Sequence, residues 1–363
     1  MKSKEIRFET LDGIRGYFVL LIFFVHFVPN SAGYIGHTFS SKPFYQAGGI
    51  EVFCKWLQNS NYGVQGFFIL SAFLIGRMIL SSKYKGYLKF LSNRVLRIYP
   101  AFLISIIISG LMGIYYTHYL QISGFQIVEN LFFLNGFFLL NDIPSLNFVT
   151  WSLFFEFVFY FTVPLVLLIN QKFNQSRSLR LFVYFILISA TGFFLKLGSP
   201  YLLFFGGIAI SIFTDAELET FAKAVPERLL VLFYLSTTTI YSLSILNTET
   251  FSPVFLIACS ALIVKANFDP QSHLSRVFNM RWLRKLGRIS YSFYLLHPIV
   301  IIGFFYLLPH SFPNANKFIW LALSLPVTFL ATTLASAILF KLVESPYFMR
   351  KSHNVRQAPI NAA

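Results

Sequence analysis

Apolar runs of about 14 to 25 residues recur along the chain, divided by short polar stretches. About 20 apolar residues suffice to cross a bilayer as a helix, and in hydrocarbon only a helix or a closed barrel satisfies its own backbone. The pattern predicts about ten spanning helices, at 14–30, 62–80, 98–116, 149–169, 180–196, 200–213, 228–246, 252–265, 289–308 and 318–342. One further apolar piece, 127–140, is short for a span and carries Glu129, Asn130 and Asn135, so it is read as a re-entrant or interfacial segment. The expectation is an all-α polytopic membrane protein, with residues 1–348 forming one membrane domain and 349–363 a polar cytoplasmic tail. No internal repeat, low-complexity tract or attached soluble domain is visible.

Composition agrees: 56% of the residues are hydrophobic, 12% are charged and 46 are Phe. A net charge of +15 in isolation would suggest nucleic acid. The basic residues instead sit at the ends of apolar runs, where they anchor helices, so nucleic-acid binding is set aside. Of the 29 Lys and Arg residues, only Lys42, Lys55, Lys196 and Lys317 fall in segments assigned to the outer side, which leaves 25 at the inner face. That asymmetry places both termini in the cytoplasm. Making 127–140 a full span would invert everything after it and spoil the pattern. The start, MKSKEIR, is basic like a signal peptide, but the following run contains Arg15 and His26 and lacks a small-x-small cleavage site, so it is read as a retained span. Cys54, expected in an outer loop, and Cys259, expected within a span, lie too far apart in that topology for a disulfide. No His, Cys, Asp or Glu pair has metal-ligand spacing, so no metal site is expected.

The polar residues inside apolar runs carry the chemistry. Arg15 and His26 share the first span, and an ionisable group within a membrane is a functional candidate. Eleven steps of about 100° make three turns plus roughly 20°, so both lie on one stripe, ~16 Å apart along the axis. Arg94 and Arg97 form R-x-x-R on one helix face. With Arg15 and Arg288 they could cradle the phosphates of a cofactor entering from the cytoplasm, or simply anchor against anionic lipid. Glu156 lies on a stripe with Ser152 and Tyr160, and its depth would let it meet His26, fix its tautomer and support it as a base. A structural buried pair or a proton relay is the alternative. His297 precedes Pro298, which is expected to kink its span; the histidine serves either function or polar packing between helices. His37, His118, His310, His273 and His353 are read as loop residues. Gly63, Gly66 and Gly76 supply close helix packing. No G-x-S-x-G, P-loop or G-x-G-x-x-G is present, which argues against soluble hydrolase, ATPase and dinucleotide-binding functions.

LDGIRGYFVLLIFFVHF (11–27) with its R-x10-H, GVQGFFILSAFLI (63–75), RVLRIYP (94–100), WSLFFEF (151–157), LGRISYSFYLLHP (286–298) and VESPYF (343–348) follow one another in that order along nearly the whole chain. Together they resemble the acyltransferase-3 family of bacterial integral-membrane O-acyltransferases. The resemblance implies transfer of an acyl group, acetyl in the first instance, from cytoplasmic acyl-CoA to a hydroxyl of a cell-surface carbohydrate or lipid-linked glycan. It gives Arg15, Arg94 and Arg97 a donor-binding role and His26 the catalytic one, with Glu156 beside it. Asp12, Trp151, Ser152, Tyr160, Arg288 and His297 are supporting positions. It implies a bacterial cytoplasmic (inner) membrane location and no metal. Two departures stand out. Many relatives carry a second acidic residue where this chain has Phe157. Some also carry a C-terminal esterase-like domain that is not seen here, so the acceptor step is expected within the membrane domain or on a partner. The competing functions are a glycan or product transporter using His26 and Glu156 as a proton relay, and a scaffold for polysaccharide assembly.

Overall fold

The computed structural model describes residues 2–34, 48–80, 86–117, 124–134, 145–172, 176–307 and 317–346. Every regular element among them is helical: α1 (Lys2–Tyr34), α2 (Gly49–Gln58), α3 (Tyr62–Ile79), α4 (Tyr87–Thr117), α5 (Gly124–Leu131), α6 (Trp151–Lys172), α7 (Arg177–Phe194), α8 (Leu203–Ser211), α9 (Asp215–Ala224), α10 (Glu227–Ser242), α11 (Thr248–Phe268), α12 (His273–Phe278), α13 (Arg281–Arg288), α14 (Ser290–Ile302) and α15 (Lys317–Leu339). Helix starts follow capping chemistry: Ser176, Thr214, Asn247 and Ser272 each accept a backbone N–H of the first turn through their side chains.

All ten expected segments fall on helices, but the expected count of ten spans is not reached. Among the described residues six helices are long and apolar enough to cross a membrane, or eight if each of two bent pairs counts as one span. The shortfall comes from shorter elements: α10 has only 16 residues, and α8 breaks from α9 at 108°. The kink expected at Pro298 is displaced as well. Pro298 lies inside α14, and the sharp bend, 81°, falls between α13 and α14 at Ile289.

α1 and α11 are largely enclosed, whereas α4, α7 and α15 turn most of their apolar surface outward. Leu111, Phe182, Phe193 and Leu334 are each more than 60% exposed, as side chains that face lipid rather than a protein core would be. The short α5 overlaps the start of the expected re-entrant piece and buries its polar residues rather than its apolar ones. Phe125, Ile127 and Val128 are exposed while Glu129 and Asn130 are buried, with Asn130 Oδ1 accepting the Leu146 N–H at 3.0 Å. Residues 135–140 of that piece and the tail 349–363 lie outside the described residues, as do His37, His118, His310 and His353. Cys54, expected in a loop, sits in α2. Lys265, expected as an inner-face anchor, is buried instead. Its Nζ donates to the Ala222 and Val225 carbonyls and pairs with Asp269 at 2.8 Å, tying α11 to the end of α9.

Backbone contact through glycines fixes α1 against the α12–α13 corner. A Cβ on Gly13 would overlap the Phe278 carbonyl, one on Gly16 the Leu283 carbonyl, and one on Gly287 the Asp12 carbonyl. Small residues permit this approach where hydrocarbon supplies no hydrophobic drive between helices. Gly63 and Gly66 seat α3 on Phe18 of α1, and Gly207 seats α8 on the Ile69 carbonyl of α3.

Gly287→Ala should therefore overpack a backbone contact, at a cost of about 1–3 kcal/mol, and lower both membrane abundance and the melting temperature in detergent. Gly33→Ala, whose Cβ meets nothing within 4 Å, is the control. Equal melting of the two variants, followed by fluorescence-detected size exclusion, would refute the account.

Candidate active site

The start of α14, the first half of α1, the basic first half of α4 and the start of α6 close around a cavity of about 380 Å³. One wall is polar: Asp12 and Arg15 of α1, Arg94 and Arg97 of α4, Ser152, Glu156 and Tyr160 of α6, and Ser290, Tyr291 and Tyr294 of α14. Val64, Phe67, Phe68 and Leu74 of α3 form the apolar side. The R-x-x-R pair and the Ser152–Glu156–Tyr160 stripe each present one helix face, so each delivers all its members to the same space.

The charges inside are held in pairs. Arg15 Nη1 bonds Asp12 Oδ1 at 3.1 Å, and Arg288 Nε lies 3.7 Å from Asp12 Oδ2. Arg284 pairs with Glu9, which Arg288 also approaches at 3.9 Å. Glu156 Oε2 accepts from Tyr160 Oη at 2.7 Å. The Arg94 guanidinium stands 5.8 Å from the Tyr160 ring centroid and 5.4 Å from that of Phe90, both cation–π contacts. Taking charge out of water is expensive unless it is paired and hydrogen-bonded, and each of these contacts offsets part of that cost.

A second cluster lies beyond the cavity, further along α1. His26 is half-buried and is not among the cavity's lining residues. Its ring stacks on His297 of α14 (centroids 5.1 Å apart, planes 25° apart) and meets Phe148 edge-on at 4.9 Å. His297 is fully buried, and its Nδ1 lies 3.1 Å from the Phe293 carbonyl. A carbonyl only accepts, so Nδ1 carries the proton and Nε2 is the lone-pair nitrogen. That Nε2 is buried without a partner among the described residues.

The start of α6 ties the two clusters together. Tyr294 Oη donates to the Val149 carbonyl, so its oxygen accepts from Ser152 Oγ at 2.8 Å. Asn147 Nδ2 donates to the Leu295 carbonyl at 3.0 Å and caps the short turn Phe148–Thr150. Tyr294 thus lines the cavity on one side and lies 6.0 Å from the His297 ring on the other.

The structure accordingly brings Arg15, Arg94, Arg97, Asp12, Ser152, Glu156 and Tyr160 together, with Arg288 at the edge through Asp12. It separates them from His26 and His297, which form their own pair. The expected direct contact between His26 and Glu156 is not made, since Glu156 turns toward Tyr160 and the arginines. Trp151 packs on Phe155 at 5.4 Å rather than facing the cavity. The sequence reading missed Tyr291, Tyr294, Phe148 and Glu344. Ser290, Tyr291 and Tyr294 recur at helical spacing in SYSFY, a polar stripe that could have been read. Glu344, in VESP, accepts from Ser292 Oγ, while Tyr291 Oη donates to the Ile98 carbonyl at 2.9 Å; together they bind α14 to α4 and to the turn that follows α15. Nothing in the sequence marks Phe148 among 46 phenylalanines.

A family model described as an acyltransferase domain matches residues 8–341. Among curated proteins, the peptidoglycan O-acetyltransferase OatA of Listeria monocytogenes is 23% identical over 329 residues, covering 80% of this chain and 52% of that protein. The O-acetyltransferase OatA of Staphylococcus aureus is 22% identical over 337 residues, covering 80% and 53%. The chain thus spans about half the length of the curated relatives it matches. No solved structure matches.

Tyr294→Phe would leave the Val149 carbonyl and Ser152 without their buried partner, at an expected cost of about 1–3 kcal/mol. It should lower the detergent melting temperature while preserving insertion; an unchanged melting curve would show that the bond does not hold α6 to α14.

Proposed function

The chain belongs to the acyltransferase-3 family, and on that premise we propose that it is a membrane O-acetyltransferase moving an acetyl group from cytoplasmic acyl-CoA to a hydroxyl of a cell-surface carbohydrate or lipid-linked glycan. The observation that carries this reading is the convergence of Arg15, Arg94 and Arg97 on one cavity, with Tyr294 on its wall lying 6.0 Å from the ring of His297, which stacks on His26. Three half-buried guanidinium forks lining one recess suit a polyphosphate, which accepts them bidentately. Anchoring to lipid does not require them to share an internal cavity.

In this proposal both termini face the cytoplasm of a bacterial inner membrane, and the donor enters from the basic end. Its phosphates rest on Arg94, Arg97 and Arg15, and its thioester arm runs along α1 past Tyr294 toward His26, ~16 Å from Arg15. His26 takes the proton of the acceptor hydroxyl. The oxygen attacks the thioester carbonyl, the C–S bond breaks, and the imidazolium returns the proton to the leaving sulfur. His297 supports the His26 ring from beneath in a fixed tautomer. Glu156 works at the donor end, where its carboxylate and Tyr160 balance the guanidinium charge. Asp12, with Arg288 behind it, sets the Arg15 fork. The names of the relatives point to peptidoglycan as the first carbohydrate to offer as acceptor.

The test is isotope transfer. Membranes carrying the full chain receive labelled acetyl-CoA, and glycan and lipid fractions are assayed for base-labile label. His26→Ala should insert normally and abolish labelling; label at wild-type level in that variant would sink the assignment. Arg94→Ala or Arg97→Ala should raise the half-saturating donor concentration by about tenfold or more, the equivalent of one lost charge-assisted contact. Raised ionic strength should weaken donor use in the wild type more than in either variant. An unchanged donor requirement would return R-x-x-R to lipid anchoring.

A further inference from the structure

We propose that Phe148 is the residue that limits the acyl group to a short one, because it and His297 form two walls against the His26 ring. The inference rests on His26 being the base of the reaction proposed above. His297 covers one face of that ring and is held by the Phe293 carbonyl and by complete burial. Phe148 stands against the ring edge at 4.9 Å, its plane 81° from that of the imidazole.

Phe148 is 41% exposed, and an aromatic ring that open would ordinarily be free to swing aside. Its backbone, however, is held in place. Asn147 before it is tied to the Leu295 carbonyl, Val149 after it receives the Tyr294 hydroxyl, and Thr150 Oγ1 donates back to the Asn147 carbonyl at 2.7 Å. Three hydrogen bonds around a three-residue turn, two of them made to α14, hold this one phenylalanine in register with the two histidines.

The consequence follows from the geometry of acyl transfer. The acceptor oxygen approaches the thioester carbon from the His26 side and the sulfur departs toward the donor cavity. The alkyl group must take a remaining direction, and Phe148 and His297 occupy the space around the imidazole. A methyl group asks little of that space. Each added methylene must displace a ring carried on a fixed backbone, and a tight pocket discriminates by roughly tenfold or more per methylene. Of the two walls, His297 is fully buried and Phe148 is the one that truncation would open.

The experiment compares thiol release from acetyl-CoA and butyryl-CoA in membranes carrying the full chain, with His26→Ala as the blank. The wild type should prefer acetyl-CoA. Phe148→Ala should raise the butyryl-to-acetyl rate ratio about tenfold or more, and Phe148→Leu should move it less and in the same direction. Phe161→Ala, on an exposed part of α6 away from the cluster, should leave the ratio unchanged. A Phe148→Ala protein present at wild-type abundance with an unaltered ratio would overturn the proposal, as would a wild type that uses both donors equally. If Phe148→Ala fails to accumulate, Phe148→Leu decides by the same criterion. No His26-dependent release from either donor would instead overturn the donor and base assignments, and the inference would fall with them.

Discussion

Three guanidinium groups inside an apolar bundle impose the constraint that shapes the rest of the molecule. A fixed cation buried without partners would cost several kcal/mol, and arginine does not escape by losing its proton. The chain answers with Asp12 on Arg15, the Glu156–Tyr160 pair, and the Phe90 and Tyr160 rings facing Arg94. These compensating groups come from α1, α4 and α6. Charge balance therefore requires those helices to meet, and the close glycine contacts between α1 and the α12–α13 corner make the meeting possible. Arg15, Arg94 and Arg97 still outnumber Asp12 and Glu156 in the cavity lining, so a polyanion would add favourable contacts there.

The start of α6 is the second determinant. It carries Ser152, Glu156 and Tyr160 into the cavity and places Phe148 over His26. Two hydrogen bonds to α14, from Asn147 to Leu295 and from Tyr294 to Val149, set both positions at once. A side chain that bonds two elements and borders two clusters transmits a displacement of either to the other. This is why Tyr294, which touches no charge directly, is central to the site.

Much of this was legible in the sequence, because the signals involved are periodic or costly. Apolar runs placed the ten long segments that fall on helices, and R-x-x-R, R-x10-H and the Ser152–Glu156–Tyr160 stripe named most of the charged residues of the polar wall, since residues four apart on a helix face the same way. What failed depended on three-dimensional detail. Apolar length alone does not establish ten spans, because among the described residues α10 is short and α8 breaks at 108° from α9. Depth arithmetic put Glu156 near His26, but depth fixes only one coordinate, and rotation about the α6 axis turns the carboxylate to the arginines. Pro298 looked like the natural kink, yet the chain bends at Ile289, where an amphipathic basic helix ends and an apolar one begins. Phe148 carries no signal of composition or spacing; only the hydrogen bonds around it set it apart.

The separation of the arginines from the histidines has its own logic. A base that must accept a proton is opposed by nearby cations. At an effective dielectric of 20, a unit charge interacts with another by about 4 kcal/mol at 4 Å and about 1 kcal/mol at 16 Å. In the proposed reaction, placing His26 some 16 Å along α1 from Arg15 would let one helix serve anion binding and proton transfer without setting one against the other. The price is paid in substrate shape. A ligand that uses both ends must carry its anionic charge and its reactive group far apart, joined by an arm thin enough to pass Tyr294. Small phosphorylated metabolites and free fatty acids lack one feature or the other. A nucleotide-linked thioester has both, so the donor proposed above is one whose shape matches the spacing between Arg15 and His26.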